Sequence, residues 1–312
     1  MISVVIPLYN KRGTIIRAIQ SVLGQSVLPD EIIVVNDGST DGSDEIVRNL
    51  NNPMIYLINQ INGGVSAARN HGIKVSKNEI IAFLDADDEW KPDFLLTIKT
   101  LSQTYPDCDV FATSYQICQL NGCFGNIKLN RLTFKESGIF NNYFEVSCFS
   151  VPPIWSSAVA VSKKALINIG GFPLGIKAGE DLITWAKLAV NYSIAYNTIP
   201  MAIFYPPNNI KERSPRLDLE KDLVHDTLIN LYKYHHQKKI KYFRKYIGHW
   251  NLMRTSIMFQ SYAGSKAIIP ALRALWFFGF TKKVFLFLCL SLLPRKVQFY
   301  LFTSFKQFKN SL

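Results

Sequence analysis

Residues 80–92 read IIAFLDADDEWKP. Ile80, Ile81, Ala82, Phe83 and Leu84 form an apolar run of strand length and strand composition. The run ends in Asp85-Ala86-Asp87-Asp88, followed by Glu89, Trp90 and Pro92. Carboxylates crowded at a strand end repel one another and rise in pKa unless positive charge neutralises them. A hard divalent cation, Mn2+ or Mg2+, takes oxygen ligands and commonly bridges to phosphates. The stretch therefore predicts a metal-and-phosphate site at the carboxyl edge of a sheet. A plainer reading makes it a polar turn before a helix starting at Pro92, with Asp88 in a capping role, because acidic residues favour helix N-termini. A calcium loop fails: counting from Asp85, Trp90 and Leu96 stand where Gly and Glu are needed.

Working back from this strand, residues 2–8 predict a first buried strand, followed by Tyr9-Asn10. Residues 12–25 have helical spacing (Ile15, Ile16, Ile19, Val22, Leu23). Residues 31–36 predict a second strand, ending in Asp37-Gly38-Ser39; residues 41–50 a helix; residues 54–58 a third strand. Gly63-Gly64 opens a helix over 65–76. Strands alternating with helices at this spacing predict an α/β fold, a mainly parallel sheet flanked by helices. Ligands of such sheets lie outside the carboxyl ends of the strands, the edge that carries Tyr9-Asn10, Asp37 and Asp85. YNKRGT follows the first strand where a dinucleotide fold would have GxGxxG, and no GxxxxGK[ST] occurs. Asp37 is placed for a base or ribose, although Asp-Gly is also a strong turn dipeptide. Arg69, read alone, is more often a solvated or salt-bridged helix residue.

VVIPLYN, IIVVNDGSTDGS, GGVSAARNHGI and FLDADDEWKP occur in this order within about the first 110 residues. Together they resemble the family 2 glycosyltransferases, inverting, nucleotide-sugar-dependent enzymes with the GT-A fold. The resemblance implies that Pro7, Tyr9, Asn10, Asp37 and Arg69 surround the nucleotide, with Asp37 near the base. It implies that Asp85-Ala86-Asp87 is the DxD element on the donor. Asp85 and Asp87 would hold Mn2+ or Mg2+, and Asp87 would be the direct ligand.

Downstream, a helix from Pro92 to about Tyr105 and a strand over 109–117 are expected. Residues 118–150 read as irregular with a hairpin turn at Asn121-Gly122, residues 153–162 as a strand and 163–168 as a short helix. Gly170-Gly171-Phe172 and then AGEDLITWAKLAV resemble the family's acceptor-side element, which implies Asp181 as general base with Glu180 beside it. The alternative is first-turn charge complementing a helix dipole, worth ~0.3–1 kcal/mol. The expected buried face of that helix is Leu182, Trp185, Leu188 and Ala189. The QxxRW signature of processive members is missing, so one sugar per acceptor is expected. Arg213 and Arg216 either reach the diphosphate or belong to a solvated basic linker.

The net charge of +12 is unevenly placed. Residues 1–205 carry 16 Lys+Arg against 18 Asp+Glu, and residues 206–312 carry 19 against 5, with no acid after Asp226. A catalytic domain over 1–205 and a basic, apolar helical segment over 206–312 are expected. The longest uncharged run of the tail, residues 284–294, is short of the roughly 17–25 residues a spanning helix needs. Short apolar segments bracketed by Lys and Arg suit helices lying on an anionic membrane surface; packing on the catalytic domain or on a second subunit is the alternative. Phe and Leu density without polar interleaving argues against nucleic acid. Five cysteines without a CxxC pair indicate a reducing compartment, and the N-terminus lacks the regions of a secretory signal.

The expectation is a cytoplasmic enzyme, peripheral on the inner face of the cell membrane. It would transfer a hexosyl or N-acetylhexosaminyl group, with UDP as nucleotide on family grounds, to a glycan or lipid-linked sugar acceptor in cell-surface polysaccharide synthesis. A metal-dependent nucleotidyltransferase and a non-catalytic nucleotide-sugar-binding assembly protein are the rival readings.

Overall fold

A computed structural model describes residues 1–119, 122–206, 218–260, 266–294 and 296–302. Arg213 and Arg216, and Asn121 of the expected hairpin turn, lie outside the described residues. The chain divides into two units, Met1–Glu212 and Arg213–Leu312.

The first unit is built on β1 (Ile2–Leu8), whose residues are all buried. β1 lies between β2 (Glu31–Asn36) and β4 (Ile80–Phe83), parallel to both, and β3 (Ile55–Asn59) extends the sheet beyond β2. Helices α1 (Ile15–Leu23), α2 (Ser43–Asn49) and α3 (Val65–Val75) make the crossovers. A strand covered on both faces reads as a continuous apolar run, which is why ISVVIPL and EIIVVN carry the pattern so plainly. The strand order runs β3-β2-β1-β4 and continues β9-β6-β10-β5. The strand order switches sides at β1, from β2 and β3 to β4, which makes the crevice where open α/β sheets bind ligands.

Beyond β4 come β5 (Glu89–Trp90), α4 (Phe94–Thr104) and β6 (Val110–Cys118). α4 begins two residues later than expected, because Pro92 gives its carbonyl to the Ser26 amide and Gln25 Oε1 accepts from the Leu95 amide, capping the helix from outside. Residues 118–150 are more ordered than their composition suggests. β7 (Phe124–Asn126) forms a hairpin with β6, β8 (Ser137–Ile139) pairs with β10, and α5 (Tyr143–Phe149) follows. The strand expected over 153–162 is confined to β9 (Val159–Ser162), antiparallel to β4 and β6, because Ser156–Ala158 turns as a short 3-10 helix. α6 (Lys163–Asn168) and α7 (Glu180–Asn191) lie where they are expected. The buried residues of α7 are Ile183, Thr184, Trp185, Ala186, Leu188 and Val190, so Leu182 and Ala189 are corrected to its partly exposed side. β10 (Ile194–Phe204), unread in the sequence, runs parallel to β6 with register breaks on both sides of Pro200.

The second unit contains α8 (Leu223–Tyr234), α9 (Phe243–Gln260), α10 (Ile268–Phe278) and α11 (Lys282–Ser291). Asp222 ties three of them together. Its carboxylate accepts from the His225 amide and from Trp250 Nε1, and pairs with Arg254 and Arg273. Among the described residues no helix is long and apolar enough to cross a membrane.

Candidate active site

The C-terminal ends of β1, β2 and β4 bring the predicted residues to one edge of the first unit. Pro7 lies inside β1 opposite Val35. Tyr9 and Asn10 follow on the exposed turn. Asn10 has φ 49, in the left-handed region that Asn tolerates better than most side chains. Its amide donates to Ser39 Oγ and its Oδ1 accepts from the Thr40 amide, stitching the turn after β1 to the turn after β2.

Asp37 is buried. Its Oδ1 accepts from Gln60 Nε2 and the Gly63 amide, and its Oδ2 accepts from the Gly64 amide. These three hydrogen bonds take most of what a carboxylate can accept. Asp37 thus holds the segment that opens α3, whatever it does toward a nucleotide.

Arg69 joins the two halves of the site. Its side chain is 3% exposed, which removes the solvated reading. Nη2 donates to Asp85 Oδ1 at 2.7 Å and Nη1 to Glu180 Oε1 at 3.4 Å, linking the end of β4 to the start of α7. Burial works against its charge, but Asp85 and then Glu180 outweigh it, so the guanidinium pKa rises and the cation persists. The neighbouring Asn70 fixes the acceptor-side loop: its amide donates to the Phe172 carbonyl and its Oδ1 accepts from the Phe172 amide. Gly171, at φ 66, packs so closely on Asn70 that a Cβ would collide with the amide oxygen. One helix, α3, therefore positions both the DxD strand and the glycine loop that leads to Glu180-Asp181.

Ala86 is buried, whereas Asp87 faces outward, and its side chain is 36% exposed. Lys11 Nζ donates to Asp87 Oδ2 at 2.6 Å, and Arg17 Nη2 donates to the Asp87 carbonyl. Asp88 does not cap α4; Asp93 stands at that N-terminus. The Asp88 carboxylate is buried. Its Oδ2 accepts from Ser157 Oγ at 2.6 Å and Trp155 Nε1 at 2.8 Å, and its Oδ1 from the Tyr205 amide at 3.1 Å. Burial first, then Asp85 and Asp87, push its pKa up to about 8 against the hydrogen bonds from Ser157 and Trp155. Asp88 is a strut that fastens the DxD turn to the 155–157 segment and to the end of β10. The capping reading fails because these partners, distant in sequence, claim the carboxylate.

Lys11, Arg17, Asn70 and Ser157 escape the sequence reading, which takes Asp88 only as a cap. Lys11 alone carried a signal, as the first cation after Tyr9-Asn10.

Asp85 and Asp87 suit a hard cation. Each already faces a positive group, Arg69 or Lys11, and the Lys11–Asp87 pair is exposed enough to exchange. Among the described residues no three His, Cys, Asp or Glu side chains gather into a self-sufficient cage.

Asp181 opens α7 beside Glu180, with its Oδ1 accepting from the Leu182 amide. Burial raises its pKa to about 7; Glu180 and, more weakly, Asp85 add to the rise, and Arg69 opposes it. A carboxyl poised there can take a proton near neutral pH.

The model of the family described as glycosyl transferase family 2 matches residues 3–166. The chain belongs to that family. This family-2 chain is 40% identical over 125 residues to an uncharacterised glycosyltransferase, YibD, of Escherichia coli strain K12, covering 39% of this chain and 35% of the relative. It is 34% identical over 131 residues to the chondroitin synthase of Pasteurella multocida strain Pm70, covering 37% of this chain and 14% of the synthase. It is 30% identical over 190 residues to the glycosyltransferase GlyA of Streptococcus pneumoniae serotype 4, covering 58% and 27%. The match thus spans about a third or less of the length of these curated relatives. Among solved structures, S. aureus TarS 1–349 in complex with UDP-GlcNAc superposes with TM-score 0.59 at 18% identity, covering 88% of this chain and 73% of that one. TarS 1–349 on its own gives TM-score 0.61, covering 93% and 89%. The shared architecture is the GT-A fold.

Proposed function

We propose that the chain is an inverting glycosyltransferase that moves one monosaccharide from a nucleotide diphosphate sugar to a hydroxyl acceptor. The observation that carries this reading is Arg69, which holds the DxD residue Asp85 and the acceptor-side Glu180 in one buried ion-pair network, with Asp181 next in the chain. The donor diphosphate lies at the Asp87 side, near Lys11 and Arg17. Asp37 and the turn after β1 receive the nucleoside. Asp181 takes the acceptor hydroxyl proton as that oxygen bonds to the anomeric carbon, while the bond from that carbon to the diphosphate oxygen breaks. Asp87 and Asp85 would hold a Mn2+ or Mg2+ ion, which would supply Lewis-acid neutralisation of charge on the leaving diphosphate.

TarS has been crystallised with UDP-GlcNAc and with UDP, which makes a UDP-sugar the first donor to test. The acceptor is a lipid-linked glycan of surface polysaccharide synthesis. The support is the basic 206–312 segment, suited to an anionic inner membrane face, where such an acceptor resides.

The test is a panel of nucleotide sugars with Mn2+ or Mg2+, reading the released nucleotide. UDP release that is lost in Asp181→Asn, with donor binding by calorimetry intact, is expected. Unchanged release in that variant removes Asp181 as base, and pyrophosphate release favours the nucleotidyltransferase reading.

A further inference from the structure

The second unit holds an open cleft of about 370 Å3 lined by Lys241, Tyr242, Arg244, Lys245 and Phe277. Lys241, Arg244 and Lys245 line it together where α9 begins, and α9, α10 and α11 contain no acidic residue. Arg244 Nη2 donates to the Trp276 carbonyl, and its guanidinium carbon lies 5.8 Å from the Trp276 ring centroid. That contact fixes the cleft beside the corner between α10 and α11. The corner presents Trp276, 71% exposed, and Phe280, 73% exposed, with Lys282 and Lys283 directly behind. Large aromatics this open to water sit poorly on a soluble surface, and an aromatic tip next to cations is the composition of a membrane-interface element.

We infer that the cleft binds the phosphate of an anionic lipid headgroup while Trp276 and Phe280 enter the acyl boundary beside it. Arg244 offers the planar fork that suits a phosphate, and Lys241 and Lys245 add point charge. Charge complementarity selects an anionic bilayer over a neutral one. This deepens, and rests on, the reading of the second unit as membrane-facing.

The test uses the full chain with vesicles of phosphatidylcholine alone and of phosphatidylcholine with phosphatidylglycerol, read by co-sedimentation. The Lys241→Gln/Arg244→Gln/Lys245→Gln variant is compared with Lys233→Gln/Lys238→Gln/Lys239→Gln, which removes the same charge from exposed positions elsewhere in the unit. Circular dichroism verifies that both remain folded. The native chain should partition to the phosphatidylglycerol vesicles only. The cleft variant should lose about a hundredfold in partition and the control variant less than about fivefold. Trp276→Ser/Phe280→Ser should lose about tenfold or more, and the loss should persist at high salt because it is apolar. Equal losses in the two charge variants would overturn the headgroup cleft while leaving membrane association standing. No vesicle binding by the native chain would overturn the membrane reading itself. Displacement from vesicles by inorganic phosphate at matched phosphate concentration would make the cleft a soluble-phosphate site, contradicting the proposal.

Discussion

Lys11 reaches the candidate metal carboxylate from a fixed base. Its carbonyl accepts from the Thr14 and Ile15 amides at the start of α1, while its side chain crosses to Asp87 at the end of β4. A flexible ammonium on a partly exposed carboxylate gains little net stability, about 0.2–1 kcal/mol for such pairs. A divalent ion binding Asp87 must displace it. Lys11→Met should therefore tighten Mn2+ binding to the donor-free protein by about two- to fivefold, measured by titration of the free-ion paramagnetic signal. The same change should raise the donor KM, because the diphosphate loses a cation. Unchanged Mn2+ affinity would separate Asp87 from the cation site. Asp181 shows what sequence can and cannot give at this scale. Its proposed role rests on the family resemblance of the ED pair after GGF, but its raised pKa needs the burial and the neighbours that only the fold supplies.

At the scale of elements, α3 does the joining, through Arg69, Asn70 and a close approach to β1. A Cβ on Gly72 would run into the Val5 side chain, which comes from a strand buried on both faces and cannot retreat. Gly72→Ala should cost about 1–3 kcal/mol by overpacking, read as a lowered midpoint in thermal or urea unfolding. A variant as stable as the native chain would show that α3 can shift and that its register on β1 is not fixed. The elements that sequence reveals are those with local signals: the apolar runs of β1, β2 and β4, and the glycine start of α3. β10 escaped because Pro200 interrupts its alternation; the chain accommodates the proline at register breaks, where it costs no regular ladder bond. The role of Asp88 escaped because Ser157, Trp155 and Tyr205 lie far along the chain, and local propensity favours a cap.

Across the whole molecule, charge and chemistry are segregated. Three carboxylates of the first unit, Asp85, Glu180 and Asp87, pair with Arg69 or Lys11, whereas the 206–312 segment carries 19 Lys+Arg against 5 Asp+Glu. In the first unit, Asp181 is proposed as the base. A base must be ionised, and burial raises this carboxyl to about 7. As pH falls below that value the carboxylate is lost, so the rate should fall about tenfold per unit of pH and level off above it. The decisive measurement is the pH profile of kcat/KM for UDP-GlcNAc hydrolysis with Mn2+, water standing for the acceptor hydroxyl. The predicted result is an acidic limb of unit slope breaking near 7 in the native enzyme, and its disappearance in Asp181→Asn together with most of the rate. A native profile flat from about pH 5 to about pH 8, or an unaltered limb in Asp181→Asn, would contradict the account.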